Sequence, residues 1–151
     1  MTQKRSLKQP SAPEEGLADA LVTNAFVIMA VINKIGAEHD LSLSLVRVLG
    51  ILADRRPRMN ELADYLGLEK HTMSGLIARA EKRGLVARVP NETDGRATDV
   101  LITGEGAQLI KRLRNQGQKA LQPMVGQLTA ADGELLQNLL HRMLQSRSPD
   151  A

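Results

Sequence analysis

No cysteine occurs in the chain, which removes disulfide staples, thiolate nucleophiles, Cys-ligated zinc and thiol redox sensing from consideration. Aromatic side chains are nearly as scarce, with Phe26, Tyr65 and no tryptophan. A core without rings has to be built from Leu, Ile, Val, Ala and Met, which suits interlocking helices better than a β-sandwich. No continuous apolar run approaches ~18 residues, so no membrane span is expected. Lys4, Arg5 and Lys8 have no apolar segment behind them and do not make a secretory signal. The cytoplasm is the expected location. Catalytic groupings are missing too. His39, His71 and His141 fall in different elements with no HExxH-like spacing, so neither a metal, a cofactor nor an enzymatic activity is expected. Gly104-Glu105-Gly106 follows a strand and opens a helix as a dinucleotide loop would. The third glycine position holds Leu109, however, and no parallel βαβ unit surrounds it.

The 151 residues fit one domain with long helical extensions, and 42% apolar residues are enough for a core. A net charge of +3 decides little by itself, and the position of the charges matters more. Residues 1–15 are polar, hold Pro10 and Pro13, and read as a flexible tail. A helix is expected from Leu17 to Glu38, with Leu17, Leu21, Ala25, Ile28, Ile32 and Ile35 on one stripe. Val22, Phe26, Met29 and Ala30 widen that stripe beyond a single seam, so the helix should be buried by a second copy of the chain. Asp40 and Ser42 mark a turn and an N-cap for a helix over 43–53. The segment Asp54-Arg55-Arg56-Pro57-Arg58 ends it, either as a solvated loop or as a functional basic patch.

From Asn60 to Gly106 the order is short helix, turn at Gly67, longer helix, strand, polar tip, strand. Helices are expected over 59–66 and 70–83, and strands over 85–89 and 96–102, with Pro90 at a strand end and Asp94-Gly95 as the turn. This is the layout of a winged helix-turn-helix. In the longer helix Met73, Leu76, Ile77 and Ala80 share an apolar face, while His71, Ser74, Gly75 and Ala78 lie opposite it. Thr103 should cap a helix over 106–121 that Pro123 interrupts or kinks, and Thr129 should cap a last helix reaching the neighbourhood of Ser146. The fold class is therefore mainly α with a small β-hairpin. A winged helix-turn-helix over 41–105 would join a helical dimerisation region formed by 16–40 and 106–147.

A helix is useful in the major groove only if its outward side chains can hydrogen-bond base edges. Lys70, His71, Thr72 and Ser74 supply such groups near a helix N-terminus, which also favours phosphate oxygens. Between Arg55 and Arg96 nine Lys/Arg stand against six Asp/Glu, an excess that works only if the acids point away from a duplex. At the hairpin tip the Asp94 carboxylate is expected to hold the Arg96 guanidinium for insertion into a narrow minor groove. The competing reading of that pair is an ordinary surface ion pair.

These residues resemble the MarR family of bacterial regulators. LSLSLVRVLGIL at 41–52 is similar to the family's second-helix segment, and NELADYLGLEKHTMSGLIARAEKRGLVAR at 60–88 to its helix-turn-helix. DGRATDVLITGEG at 94–106 resembles its D-x-R…L-T-x-x-G wing, with Asp94, Arg96, Thr103 and Gly106 in register. The resemblance implies a homodimer, usually a repressor, binding double-stranded DNA at a pseudo-palindrome. It also implies release by a small, often aromatic, effector held between the dimerisation and DNA-binding regions. The expected DNA-binding residues are Lys70, His71, Thr72, Ser74 and Gly75 on the helix, Arg79 and Arg88 at phosphates, and Asp94 with Arg96 in the wing. Three departures stand out: Gly95 replaces the first arginine often found in the wing, Gly75 an arginine common on the helix, and the oxidation-sensing cysteine is absent. A winged-helix protein–protein module or antirepressor that never touches DNA remains the alternative reading.

Overall fold

Helix ends in this chain are set by local chemistry. Ser42 Oγ accepts from the Leu45 N–H at 3.2 Å, Thr103 Oγ1 from Gly106 at 3.1 Å and Thr129 Oγ1 from Asp132 at 3.1 Å. Each hydroxyl satisfies a first-turn amide that has no partner inside its own helix. In the computed structural model, which describes residues 16–145, the elements run α1 (Leu17–Glu38), α2 (Leu43–Leu52), α3 (Met59–Leu66), α4 (Lys70–Lys82), β1 (Val86–Pro90), β2 (Thr98–Ile102), α5 (Gly104–Val125) and α6 (Ala130–Gln145). The tail expected over 1–15 and the residues from Ser146 onward lie outside that span. The architecture is mainly helical with one small β-hairpin, as the sequence pattern predicts.

The core sits where α2, α3, α4, the hairpin and the first half of α5 meet. Val48, Leu49, Leu62, Met73, Ile77, Val86 and Val100 are its largest fully enclosed side chains, all aliphatic or thioether. A Cβ at Gly106 would overlap the Leu85 carbonyl oxygen and crowd Ile102, so glycine is what lets α5 start against the hairpin. This close approach, rather than any loop for a dinucleotide, explains the Gly104-Glu105-Gly106 run.

Three expectations change. The 54–58 segment is not simply a solvated loop: Arg58 bridges Asp99 antiparallel and the Val100 N–H donates to the Pro57 carbonyl at 2.9 Å. That short stretch lies alongside β2 as a third partner. It also accounts for the burial of both Asp99 and Val100, where a two-stranded ribbon would alternate. Second, α5 begins two residues before the expected 106 and runs through Pro123 to Val125 without a break. Pro123 removes one bond to the preceding turn, and it lies so near the C-terminus that little helix depends on that bond. Third, Asp19, Asn24, Asn33 and Lys34 interrupt the apolar run of α1, yet the helix as a whole is long and apolar enough to cross a membrane.

Outside the core, α1 and α6 are largely uncovered. Leu17, Val22, Phe26 and Val27 on α1 are exposed, as are Leu135, Leu136, Leu139, Leu140 and Leu144 on α6, which has no buried residue at all. On α1, the stripe residues Leu21, Ile28, Ile32 and Ile35 are half-buried, whereas Leu17 and Ala25 are open.

Candidate nucleic-acid interface

Helix α4 is amphipathic in the sense that the site needs. Met73, Leu76, Ile77 and Ala80 are buried, while Lys70, His71, Thr72, Ser74, Ala78 and Arg79 are exposed and Gly75 is half-buried. The i, i+3, i+4 spacing of the first set turns the second outward together. Glu69 occupies the N-cap position without bonding its side chain to the helix, so the first-turn amides of Lys70, His71 and Thr72 have no side-chain cap. Such N–H groups, with the positive end of the helix dipole, are suited to an anion. A Cβ at Gly75 would lie 3.8 Å from an Arg79 guanidinium nitrogen. Arg79 thus folds back one turn along α4, over the surface that an arginine at position 75 would occupy.

The wing is held by Asn91. Its Oδ1 accepts from the backbone N–H of Thr93 (3.1 Å) and Asp94 (3.0 Å) and from the Thr93 hydroxyl (2.9 Å), and its Nδ2 donates to Asp99 Oδ1 at 2.8 Å. Asn91 N–H donates to the Ala97 carbonyl and Ala97 N–H to that of Asp94, closing the tip. Asp99 is 6% exposed, and Arg56 Nε lies 3.5 Å from its other oxygen. The hairpin is therefore anchored to the core side by a carboxylate, an amide and a guanidinium from three separate segments.

Arg96 is exposed at the tip, but its tie to Asp94 differs from the expected one. The Asp94 carboxylate accepts the backbone N–H of Arg96 at 3.1 Å, and among the described residues no ion pair links the two side chains. An aspartate two residues earlier reaches the main chain more readily than the end of a long arginine, as in an Asx turn. Asp94 thus fixes the backbone of the tip and leaves the guanidinium unclamped by it. Arg88, expected at a phosphate, pairs instead with Glu81: guanidinium to carboxylate 3.0 Å, with the Arg88 N–H donating to the same group at 3.2 Å. The guanidinium hydrogen bond, then the backbone one, holds the Glu81 carboxyl below the ordinary glutamate range. This pair stitches β1 to the last turn of α4.

The acids between Arg55 and Arg96 are partly accounted for by these bonds. Glu61 receives the Arg58 N–H at 3.3 Å at the start of α3, Glu81 is paired with Arg88, and Asp94 is turned onto its own loop. Sequence reasoning missed Asn91, Asp99 and Arg56 as organisers of the wing. One signal was available: an aspartate inside the apolar run Asp99-Val100-Leu101-Ile102 needs a partner if it is buried. Two shallow open hollows of about 240 and 300 Å³ flank the hairpin, one against Arg56 and Asp99 and the other against Arg88 and Gly95. Among the described residues no cluster of His, Asp or Glu could hold a metal ion.

Comparison with known proteins agrees with this geometry. Residues 39–97 match the family model described as MarR family. The homoprotocatechuate degradative operon repressor of Escherichia coli is 28% identical over 132 residues, covering 86% of this chain and 88% of that protein. Among solved structures, a mutant of MepR from a multidrug resistant S. aureus clinical isolate superposes with a TM-score of 0.78 at 20% identity, covering 90% of this chain and 100% of that one. NadR in complex with 4-hydroxyphenylacetate gives 0.72 at 20% identity, with 89% and 97% covered. The winged helix-turn-helix, its exposed α4 and its wing thus have the fold of these solved structures, and the segment that carries them is similar to the MarR family.

Proposed function

We propose that the protein is a homodimeric, ligand-responsive repressor that binds a pseudo-palindromic operator through α4 and the wing. The observation that carries the dimer is the apolar surface that one chain leaves open on two helices, with Leu17 73%, Phe26 65% and Leu144 61% exposed. A monomer in water rarely leaves so many large apolar side chains of two helices uncovered. Packing α1 and α6 against their two-fold copies would bury them and would also account for the membrane-like composition of α1. The dimerisation region would then comprise 16–40 and 106–147, and the reading domain 41–105.

On this reading Lys70, His71, Thr72 and Ser74 approach base edges and nearby phosphates in the major groove, with Gly75 and Ala78 allowing close contact. Arg79 neutralises a phosphate, Arg88 steadies the wing through Glu81, and Arg96 enters the minor groove from a tip shaped by Asp94. Two-fold symmetry sets the half-sites ~10 bp apart, about one helical turn. The E. coli relative is named as a repressor of a degradative operon, and NadR is described with 4-hydroxyphenylacetate. Both favour a small aromatic acid as the class of effector, acting on a protein that works in the cytoplasm beside its DNA.

The test is selection of bound duplexes from a random pool, repeated with aromatic acids present, alongside sedimentation of the free protein. The expected outcome is a dimer that enriches a two-fold symmetric sequence and releases it on adding ligand. A monomer, or a pool with no enriched symmetric element, would overturn the proposal.

A further inference from the structure

The C-terminus of α1 carries the wrong charges for its dipole. Its last turn has no basic residue, and Glu38 and Asp40 stand at the end where backbone carbonyls already concentrate negative charge. The missing cation comes from α4. The Arg83 guanidinium donates to the Asp40 carbonyl at 2.8 Å and to the His39 carbonyl at 3.0 Å, 43 and 44 residues away in sequence. Two nitrogens of one planar group thus grip two consecutive carbonyls, which fixes direction as well as distance.

The gripped turn is itself rigid. Leu41 N–H donates to Gly36 and Asp40 N–H to Ala37, and a Cβ on Gly36 would crowd the Leu41 carbonyl at 3.0 Å and Val46 at 3.1 Å. His39 meets Gln116 of α5 at 2.8 Å. The turn at 39–40 is therefore tied to α1, α2 and α5, and Arg83, the residue that ends α4, is bolted to it.

We propose that Arg83 is a positioning residue that sets the angle of α4 against α1, and through it the separation of the two α4 helices in the dimer. The inference rests on the homodimeric reading above. Arg83 points to backbone of its own chain and takes no role as a phosphate contact. Its effect is on which half-site spacing the dimer fits.

The absence of cysteine makes a direct test simple. Ala78→Cys places one spin label on each α4, so a dimer gives one inter-label distance by pulsed electron spin resonance, with no DNA needed. Introducing Arg83→Met, which keeps the stem and removes the donors, should broaden or shift that distribution, and Arg83→Lys should fall between. Far-ultraviolet circular dichroism checks that each variant keeps its helices. On DNA, Arg83→Met should lower affinity for the best-spaced operator about tenfold, within the range of ordinary coupling between sites. It should also shrink the penalty for adding or removing one base pair between half-sites, with the salt slope unchanged. An unaltered distance distribution overturns the clamp alone. Loss of affinity that is equal at every spacing, with a shallower salt slope, also overturns it and makes Arg83 a phosphate contact. No dipolar signal in the Arg83 protein overturns the homodimer, and the clamp with it.

Discussion

The Arg88 guanidinium and the Glu81 carboxylate meet at 3.0 Å, joining the first strand of the wing to the end of α4. The contact has two consequences that pull apart. It steadies the wing against α4, and it occupies a cation that a phosphate would otherwise attract.

Glu81→Gln separates them. The Glu81 pKa is lowered by its bonds to Arg88. A carboxyl with a depressed folded pKa adds stability above its unfolded pKa, and that stability is lost as pH falls through the folded value. The variant should therefore show a flatter acid limb when stability is followed by urea melts below neutral pH. If the released Arg88 reaches a phosphate, the variant should also bind duplex DNA more tightly in low salt, with the log–log salt slope steeper by about one. An unchanged slope would confine Arg88 to holding the wing.

Asp99→Ala should loosen the hairpin. It deprives the Asn91 amide of a buried partner and removes the acceptor that faces Arg56, at about 1.5–3 kcal/mol for a lost hydrogen bond to a charged group. Arg56 is 47% exposed at its side chain, so Arg56→Ala should have a much smaller effect, as expected of a solvated ion pair. Equal losses in the two variants, measured by urea denaturation, would move the weight from the Asn91 bond to the ion pair.

Most of the fold was legible because its signals are local. The apolar spacing of Met73, Leu76, Ile77 and Ala80 fixed the inner face of α4, and Ser42, Thr103 and Thr129 announced helix starts within three residues of the amides they bond. What could not be read is what depends on distant partners. Nothing near Arg83 in sequence points to His39 and Asp40, and nothing in Arg56-Pro57-Arg58 shows that it will lie beside β2. The tie within Asp94-Gly95-Arg96 is legible as a tie but not as to its atom, since sequence adjacency does not say whether a carboxylate meets a side chain or a backbone N–H. The exposed helices α1 and α6 are a related case, where the sequence pattern asks for a cover that one chain does not supply.

Ser74 tests the proposal that α4 reads sequence. It is exposed on the outer face, between His71 and Ala78, and carries no charge. Ser74→Ala should change which duplexes are selected while leaving the salt slope as it was, because a neutral hydroxyl releases no counterion. Lys70→Ala, by contrast, should weaken all duplexes and lower the slope. A uniform loss in Ser74→Ala would make this hydroxyl a backbone contact only.

Helices α1, α3 and α4 end in the same hydrogen-bond pattern, with the left-handed residue differing: Asp40 at φ 56°, Gly67 at 66° and Gly84 at 74°. Only glycine takes that conformation without steric penalty, whereas an L-residue there is strained by roughly 1–2 kcal/mol, less for aspartate. Asp40 also puts an anion at the negative end of α1, unfavourable by about 0.3–1 kcal/mol. Glycine forfeits roughly 0.5–1 kcal/mol through the greater freedom of its unfolded chain. The first two effects outweigh the third, so Asp40→Gly should raise stability by about 0.5 kcal/mol or more, while Gly67→Ala and Gly84→Ala lower it. Asp40→Asn isolates the charge, since it keeps a left-handed-tolerant side chain of the same shape. Thermal melts of the four variants decide the matter. If Asp40→Gly melts below the parent and Asp40→Asn does too, the Asp40 carboxylate itself supports the turn that Arg83 grips.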